Sequence, residues 1–412
     1  MTRSSYRVLF SHRPFRLVWS AGAAVYLATW LCNVAAAWWM AQLSRSPVLI
    51  ALIQAAASLP FLLLSLPAGA LADRVDRRRV MLAAQAGNVL VCAVVAVLGG
   101  VGALGPWGLI AATFALGALL ALHGPAAQAT VTDVVPPHQV PSAIALNSIA
   151  YNLARSAGPG LAGVLMTLTS VPMLFCLTGG LFAVSSWLIH RLPPAAAAPA
   201  ARPAERLGPA LVAGIRYACR TPVLRGTLLR AALFSLGASA LWALLPAMAR
   251  LEMGGSAGLF GLLMGCLGGG AVAAGCVLGR LHEALGDERL MQGGTAAFAL
   301  ATFVLGTLPG SALLYPALVV GGMGWMICNS LLIVRAQQDA PSWMRARSGG
   351  LLLVVLMGSM GLGSTGWGLM ADLLGPPLTL VGAGIGLCGA LMLQRRFPLP
   401  AGSEGDGTRV SV

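Results

Sequence analysis

Five polar side chains interrupt one otherwise apolar stretch of this chain, and the last of them is charged. They are Asn147, Ser148, Tyr151, Asn152 and Arg155. At 100° per helical residue, the last four fall within an arc of about 100° and form one polar stripe. If this helix crosses a bilayer, the charge costs at least about 2.5–3.5 kcal/mol at mid-depth. Arg155 therefore either faces a wet cavity, where it binds a ligand or couples charge movement, or fastens its helix to neighbouring carbonyls.

Few other polar side chains lie inside the long apolar stretches. Gln54, His123 and Gln128 are the notable ones, and with Asn147 and the four residues of the stripe they form the predicted cavity or coupling set. Imidazole titrates near neutral pH, so His123 is a candidate proton carrier, although it could equally be a hydrogen-bonded helix residue. The central third of each apolar stretch lacks Asp and Glu. No carboxylate proton carrier is therefore predicted there, and Asp133 at the end of its stretch is the alternative to His123.

A short turn at residues 69–79 separates two long uncharged runs and contains four arginines and two aspartates. A turn with this charge cannot lie in hydrocarbon, and its positive sign predicts that it faces the cytoplasm. Asp73 can face the positive N-terminal end of a helix that begins near Ser342. Arg74 and Arg77 can reach Asp133, which is the only carboxylate candidate at the end of its helix.

Composition places most of the chain in a membrane. Charged residues make up 9% of the sequence, hydrophobic residues make up 58%, and the mean hydropathy is +0.82. An average soluble domain has about 25% charged residues. About 20 apolar residues cross a bilayer as a helix. Twelve stretches meet this length, at residues 17–42, 48–71, 80–100, 106–130, 142–168, 171–190, 223–249, 256–279, 290–308, 312–334, 348–371 and 376–394.

Arginines set the expected orientation of these spans. All 26 basic residues are arginine, and on the twelve-span map 22 of them lie on one face and two on the other. This bias predicts that both termini are cytoplasmic and that the protein is a multi-pass protein of the cytoplasmic (inner) membrane. The net charge of +14 is dispersed over many short loops, so nucleic acid is not expected as a partner. One arginine within a span, Arg230, is expected to snorkel to the surface.

A polar interval divides the spans into two sets of six. We assign residues 1–190 to an N-terminal bundle, 191–222 to a cytoplasmic linker with an amphipathic helix, and 223–396 to a C-terminal bundle. Residues 397–412 are expected to form a disordered cytoplasmic tail. The two bundles are weakly alike, since a Pro-containing loop opens the fifth span at Pro136 and the eleventh about 205 positions later.

Several classes of function lack the residues they need. The eight cysteines and five histidines show neither metal-ligand spacing nor a nucleophile–base set, so no enzyme, metal site or cofactor is expected. A chain without lysine cannot supply the phosphate-binding loop of an ATP-driven pump. A receptor-like role for the same fold stays open, and it would show binding without directional flux.

The turn at 69–79 resembles the G-x-L-A-D-R-x-G-R-R signature of the major facilitator superfamily of secondary transporters. Asp76 replaces the usual second glycine and makes the turn less permissive. The residues that match are Gly69, Leu71, Ala72, Asp73, Arg74, Arg77 and Arg78. More specific segments resemble the enterobactin-exporter, or transmembrane secretion effector, family. They are LPAGALADRVDRRR (66–79), ALNSIAYNLARSAGPGLAG (145–163), LWALLPAMAR (241–250), QDAPSWMRAR (338–347) and GSTGWG (363–368).

The resemblance implies an all-α fold of two six-helix pseudo-repeats with the substrate site between them near mid-membrane. It also implies that the signature residues and Asp133 form a conformational latch that holds the outward-open state. Gly69 is then expected to let spans 2 and 11 approach closely. Gly158, Pro159 and Gly163 resemble the fifth-span motif of antiporters in this superfamily.

The sequence therefore predicts a secondary transporter that takes a small hydrophobic, drug-like or siderophore-like molecule out of the cell by alternating access. Protons are the expected coupling ion, the bilayer is the surrounding medium, and a monomer is the expected assembly. The alternative is a facilitator or importer of a small metabolite.

Overall fold

The computed structural model describes residues 9–193, 216, 220–338 and 345–394 of the 412-residue chain. Within these ranges the regular structure is entirely helical. The long helices are α1 (Arg13–Leu43), α2 (Pro47–Arg74), α3 (Arg77–Gly100), α4 (Pro106–Asp133), α5 (Val140–Leu168), α6 (Val171–His190), α7 (Pro222–Ala247), α8 (Ala257–Thr307), α9 (Leu314–Gln338), α10 (Arg345–Leu374) and α11 (Pro376–Gln394). A short 3₁₀ turn, Pro137–Gln139, precedes α5, and a π turn, Met248–Glu252, follows α7. Most of the predicted linker and the predicted tail lie outside the described residues.

Helix starts follow from local chemistry that the sequence displays. Proline occupies the first turn of α1, α2, α4, α5, α6 and α7, where its fixed φ suits the helix and its missing N–H costs nothing. At α3 the cap is Asp76, whose side chain accepts a hydrogen bond from the backbone N–H of Arg78 at 2.9 Å. Asp76 has a φ of −51°, so this turn does not require the glycine of the family signature. The helix cap that Asp76 provides compensates for the loss of the signature glycine at this position.

Ten helical segments among the described residues are long and apolar enough to cross a membrane. Helix α5 is not one of them, because its polar stripe dilutes an otherwise apolar sequence. Helix α8 is counted once although it has 51 residues, about 75 Å of helix and more than twice the thickness of the hydrocarbon. Gly286 breaks α8 with a φ of 71° and a ψ of 168°. We call the two arms α8a (257–285) and α8b (287–307), which match the predicted eighth and ninth spans.

Helices α1–α6 pack into one bundle and α7–α11 into another. In the first bundle α3 lies against α6, and α2 lies against α4. In the second, α8 packs along α9, where Gly324 allows the backbone of α9 to contact Gly294 of α8b. A side chain at either position would separate these helices, so small residues set the spacing within the bundle.

The two bundles meet along two pairs of helices, α2 with α10 and α5 with α8a. A Cβ at Gly163 of α5 would overlap the Cα of Gly261, and a Cβ at Gly268 would overlap the carbonyl of Ser156. On the other pair, a Cβ at Gly361 would lie 2.9 Å from the Leu59 side chain. These contacts all lie in the halves of the helices that are remote from the arginine-rich turn.

The glycines near the opposite ends of the same helices have no such contact. A Cβ at Gly69 of α2, Gly279 of α8a or Gly349 of α10 would meet no atom within 4 Å. We call this end the arginine-rich face, since it carries Arg77, Arg78 and Arg280. The contacts described for Gly69 therefore do not include the predicted close approach of spans 2 and 11. We call the boundary between the bundles the cleft, and the end with the glycine contacts its closed end.

The glycine contact on α5 generates a first prediction. Gly163→Leu places a side chain where the backbone of Gly261 lies, so the closed end should open and this conformation should lose about 1–3 kcal/mol. Spin labels at the exposed residues Val101 and Leu373, one on each bundle, should move apart on average.

Gly180→Leu is the matched control for this change. A Cβ at Gly180 meets no atom within 4 Å, so the distance between the two labels should stay as in the parent protein. An unchanged distance in Gly163→Leu as well would contradict the assignment of this contact as the closed end.

Candidate functional site

Two of the polar residues of α5, Asn147 and Tyr151, meet Tyr26 of α1. The hydroxyl of Tyr26 lies 3.1 Å from Nδ2 of Asn147, which donates to it. The ring of Tyr26 also meets that of Tyr151 edge to face, with centroids 5.2 Å apart. Ser148 and Asn152 instead bond along their own helix, to the carbonyls of Ile144 and Ser148. Sequence reasoning identified the α5 side of this network and missed Tyr26, whose span offered no polar pattern.

Arg155 reaches from the first bundle to the second. Its Nη2 donates to Oδ1 of Asn152 at 3.3 Å and to Sδ of Met326 on α9 at 2.7 Å. A thioether is a weak acceptor, and Nε of Arg155 is buried without a hydrogen-bond partner among the described residues. The contacts described for this guanidinium include no backbone carbonyl, so they give no support to the alternative in which Arg155 fastens α5 to its neighbours.

His123 lies apart from Arg155, inside the first bundle. It is buried, with 4% of its surface exposed, and it lines a small cavity of about 10 Å³ together with Tyr26 and Asn147. Gln54 donates to Ser58 on its own helix, and Gln128 is exposed on α4. The described hydrogen bonds do not join either glutamine to the stripe. The predicted set therefore separates into a His123 cavity and an interface around Arg155.

The arginine-rich turn ties three helices of the first bundle together. Arg77 forms an ion pair with Asp133 at the end of α4, as the sequence predicted. Arg78 donates to the backbone carbonyl of His190 at the end of α6. The side chains of Asp73 and Arg74 lie outside the described residues, and so does Ser342, the expected partner region of Asp73.

The second bundle has an equivalent tie with the charges reversed. Asp287, at the break in α8, pairs with Arg335 near the end of α9 and with His282 at 2.7 Å. Asp287 follows Arg77 by 210 positions and Arg335 follows Asp133 by 202, so the pairs occupy corresponding places in the two repeats. The repeat offset noted in the sequence was the signal that could have located this pair.

Arg230 does not snorkel, contrary to expectation. It is fully buried on α7 and pairs with Glu288 of α8b, with Nη1 and Oε2 2.9 Å apart. Gln292 donates to the same carboxylate at 2.7 Å. Breaking such a pair leaves an uncompensated charge, so the arginine is held in place. The partner was missed because Glu288 precedes the predicted ninth span.

The antiporter-like motif of α5 lies at contacts between helices. Gly158 accommodates Trp30 of α1, since a Cβ there would lie 2.8 Å from the Cβ of Trp30. Pro159 is buried within α5, and Gly163 forms the contact with α8a described above. The motif therefore lies along both the α1 and the α8a sides of its helix.

Aromatic rings extend from Trp30 across the boundary between the bundles. Trp30 lies 6.3 Å from Trp242 of α7, and Trp242 lies 5.3 Å from Trp325 of α9, measured between ring centroids. Phe234 and Phe298 pack against Trp325 at 5.6 and 5.7 Å. We call these five residues the aromatic wall. Sequence reasoning missed it, because three tryptophans on three helices share no local pattern.

The parts of the chain that the structure describes contain no group of three or more His, Cys, Asp or Glu side chains that could hold a metal ion. Cys32 and Cys92 lie with their sulfurs 3.9 Å apart beside Thr178, and both are free thiols.

Comparisons with known proteins agree with this architecture. The chain is 26% identical over 366 residues to the uncharacterized MFS-type transporter YfiS of Bacillus subtilis (strain 168). The aligned region covers 86% of this chain and 84% of the relative. The chain is 28% identical over 157 residues to the staphyloferrin A transporter of Staphylococcus aureus (strain NCTC 8325 / PS 47), covering 38% of this chain and 40% of the relative.

Among solved structures, a bacterial homologue of the human lysosomal transporter Spinster in an inward-facing, occupied conformation matches with a TM-score of 0.74. The identity is 15%, over 93% of this chain and 97% of that one, so the match shows the fold alone. The family model for transmembrane secretion effectors matches residues 4–410. The chain therefore belongs to the transmembrane secretion effector family of major facilitator superfamily transporters.

Proposed function

We propose that this transporter exports a small hydrophobic, drug-like or siderophore-like molecule by alternating access. The observation that carries the proposal is membership of the transmembrane secretion effector family, together with the glycine contacts that join the two bundles at the end remote from the arginine-rich face. We take the arginine-rich face as cytoplasmic on the charge pattern, and we interpret the arrangement as an inward-open state. A cleft in this state takes up its substrate from the cytoplasm.

We place the protein in the cytoplasmic membrane as a monomer with twelve spans, α8a and α8b being separate spans, and with both termini in the cytoplasm. The partial likeness to the staphyloferrin A transporter supports a siderophore-like substrate. A comparison of compounds retained by deletion cells and by overexpressing cells identifies the substrate. A facilitator or importer of a metabolite is the competing function, and it would lower rather than raise retention on deletion.

Reporter fusions test the topology. The excess of arginine on one face predicts that fusions after Arg191 and after Arg396 report the cytoplasm and that a fusion after Ser170 reports the outside. Paired reporters that are active on opposite sides of the membrane make the measurement. A cytoplasmic signal at Ser170 would contradict the twelve-span arrangement.

We further propose that the arginine-rich turn is the conformational latch of the outward-open state. Its support is the ion pair of Arg77 with Asp133 and the bond of Arg78 to α6, which hold the turn in a fixed position within the first bundle. Both members of the ion pair are partly exposed, so the pair adds little to folding stability. Its role is then to present Asp73 to the start of the eleventh span when the cleft closes.

The latch predicts a conformational defect without a folding defect. Asp73→Asn should reduce transport severely, leave membrane insertion intact, and shift the population about fivefold or more toward the inward-open state. Asp133→Asn should act in the same direction, and the double charge reversal at Arg77 and Asp133 should restore part of the flux. Arg79→Gln is the control, because Arg79 is exposed and its contact with Asp76 is 3.9 Å long. Normal flux in Asp73→Asn would reduce the turn to a topology signal.

For the driving force we propose proton antiport, supported by the Gly158, Pro159 and Gly163 motif and by the buried position of His123. His123 shares its cavity with Tyr26 and Asn147, and of these two neighbours the hydroxyl of Tyr26 is the group that can relay a proton. Asp133 at the inner end of α4 is the alternative carrier.

Proteoliposomes containing the identified substrate test this mechanism. An imposed proton gradient should accelerate substrate movement against the proton flow, and His123→Ala should remove the acceleration while slow downhill exchange continues. His138→Ala is the control, since His138 is exposed. If the flux of His123→Ala still depends on the proton gradient and the flux of Asp133→Asn does not, Asp133 of the latch is the proton carrier. Flux that ignores the gradient would favour the facilitator.

A further inference from the structure

Arg155 is a cation at the boundary between the bundles, and no carboxylate among the described residues is its partner. Of the carboxylates with described side chains, those on the long helices lie near a helix end or beside the break in α8, and the others lie in the connecting segments. They are Asp76, Asp133, Glu252, Glu283, Asp287, Glu288 and Asp372. Three of them pair with Arg77, Arg230 and Arg335. The structure thus neutralises arginines at the ends of helices and leaves a positive charge at the substrate cleft.

Three buried hydrogen-bond donors on α5, α7 and α9 are unused among the described residues. Nε of Arg155 and Nε1 of both Trp242 and Trp325 are buried without a hydrogen-bond partner among the described residues. Trp325 is 92% buried, having 8% of its surface exposed, and it precedes Met326, which contacts Arg155. Native structures rarely leave buried donors unpaired, and such groups often serve a ligand. All three donors require an acceptor, and none of them can accept a hydrogen bond.

Apolar rings lie beside these donors. The aromatic wall starts at Trp30, which packs on Gly158 one helical turn beyond Arg155, and it continues through Trp242 to Trp325. Arg155 and the aromatic wall both join the two bundles, Arg155 through Met326 and the wall through the contact of Trp30 with Trp242. Trp30 and Trp242 are partly exposed, whereas Phe234 and Phe298 are fully buried. The described part of this boundary combines apolar rings with a positive charge and donors, and it contributes no negative charge.

We propose that the substrate is an amphipathic anion. Its carboxylate, or another anionic group, binds Arg155 and accepts from the indole N–H groups, while its planar apolar body lies on the aromatic wall. Cationic molecules are excluded, because the site repels their charge and offers them no acceptor of opposite sign. This inference rests on the proposed function only in taking the cleft as the substrate site, and it narrows the substrate class to anions.

A matched set of probes tests the proposal in the purified full-length protein. 2-Naphthoate, 2-naphthamide and 2-naphthylmethylammonium share one apolar body and differ in charge. Binding is measured with radiolabelled probes and protein in nanodiscs, with empty nanodiscs as the blank. The naphthoate should bind about 10- to 100-fold more tightly than the amide, as a charge-assisted contact predicts, and the ammonium should bind more weakly than either.

Variants connect this preference to the named residues. Arg155→Gln should bring naphthoate and naphthamide to within about threefold of each other, and Arg155→Lys should keep part of the preference because the charge remains without the planar fork. Arg250→Gln is the matched control, since Arg250 is exposed at the closed end. Trp325→Phe keeps a ring and removes its N–H, so it should weaken naphthoate more than the ammonium. Gel filtration and thermal melting confirm that each variant is folded.

Three results would overturn the proposal. They are equal binding of the three probes by the parent protein, an anion preference that persists in folded Arg155→Gln, and no binding of naphthoate at millimolar concentration. Efflux of naphthoate from proteoliposomes is measured in parallel. Binding with the expected preference but without flux would refute the proposed export function and leave the anion site in place. Flux of neutral or cationic probes without anion preference would refute the anion site and leave export in place.

Discussion

Backbone contact between glycines of the two bundles is the constraint on which the rest of this structure depends. Lipid offers no hydrophobic force to drive helices together, so the association of α5 and α8a depends on close packing, which Gly163 and Gly261 permit by letting the main chains touch. The contact joins the two bundles at the end remote from the arginine-rich face. Arg155 lies on the same helix as Gly163, and it too reaches the second bundle, through Met326.

Each bundle contains an ion pair that joins two of its elements, and the two pairs occupy corresponding positions in the repeats. Arg77 and Asp133 join the arginine-rich turn to α4, and Asp287 and Arg335 join the break in α8 to α9. The reversed charges show that the repeat preserves the pairing and not the residue types. Bundles fixed internally in this way can move as rigid bodies, which is the motion that alternating access requires.

Arg155, the other arginine within a membrane-spanning helix, differs from Arg230 in its partners. Arg230 is buried and neutralised by Glu288, whereas Arg155 contacts an amide oxygen and a thioether sulfur. A charge at mid-depth costs at least about 2.5–3.5 kcal/mol, and weak acceptors offset little of it. We propose that this cost is retained because the charge meets a ligand of opposite sign, and that the unpaired indole N–H groups of Trp242 and Trp325 serve the same ligand.

The sequence by itself indicated an all-helical membrane protein and its family, because hydrocarbon requires long apolar helices and because the signature residues follow one another closely in the chain. It also placed Arg77 next to Asp133, since few carboxylates were available at that face. Only the tertiary structure decided that Gly69 lies in open space, that Glu288 neutralises Arg230, and that Trp30, Trp242 and Trp325 meet beside Arg155. These contacts join residues far apart in the chain, and they depend on which ends of the bundles touch. The local sequence pattern of a single helix does not indicate which ends of the two bundles are in contact.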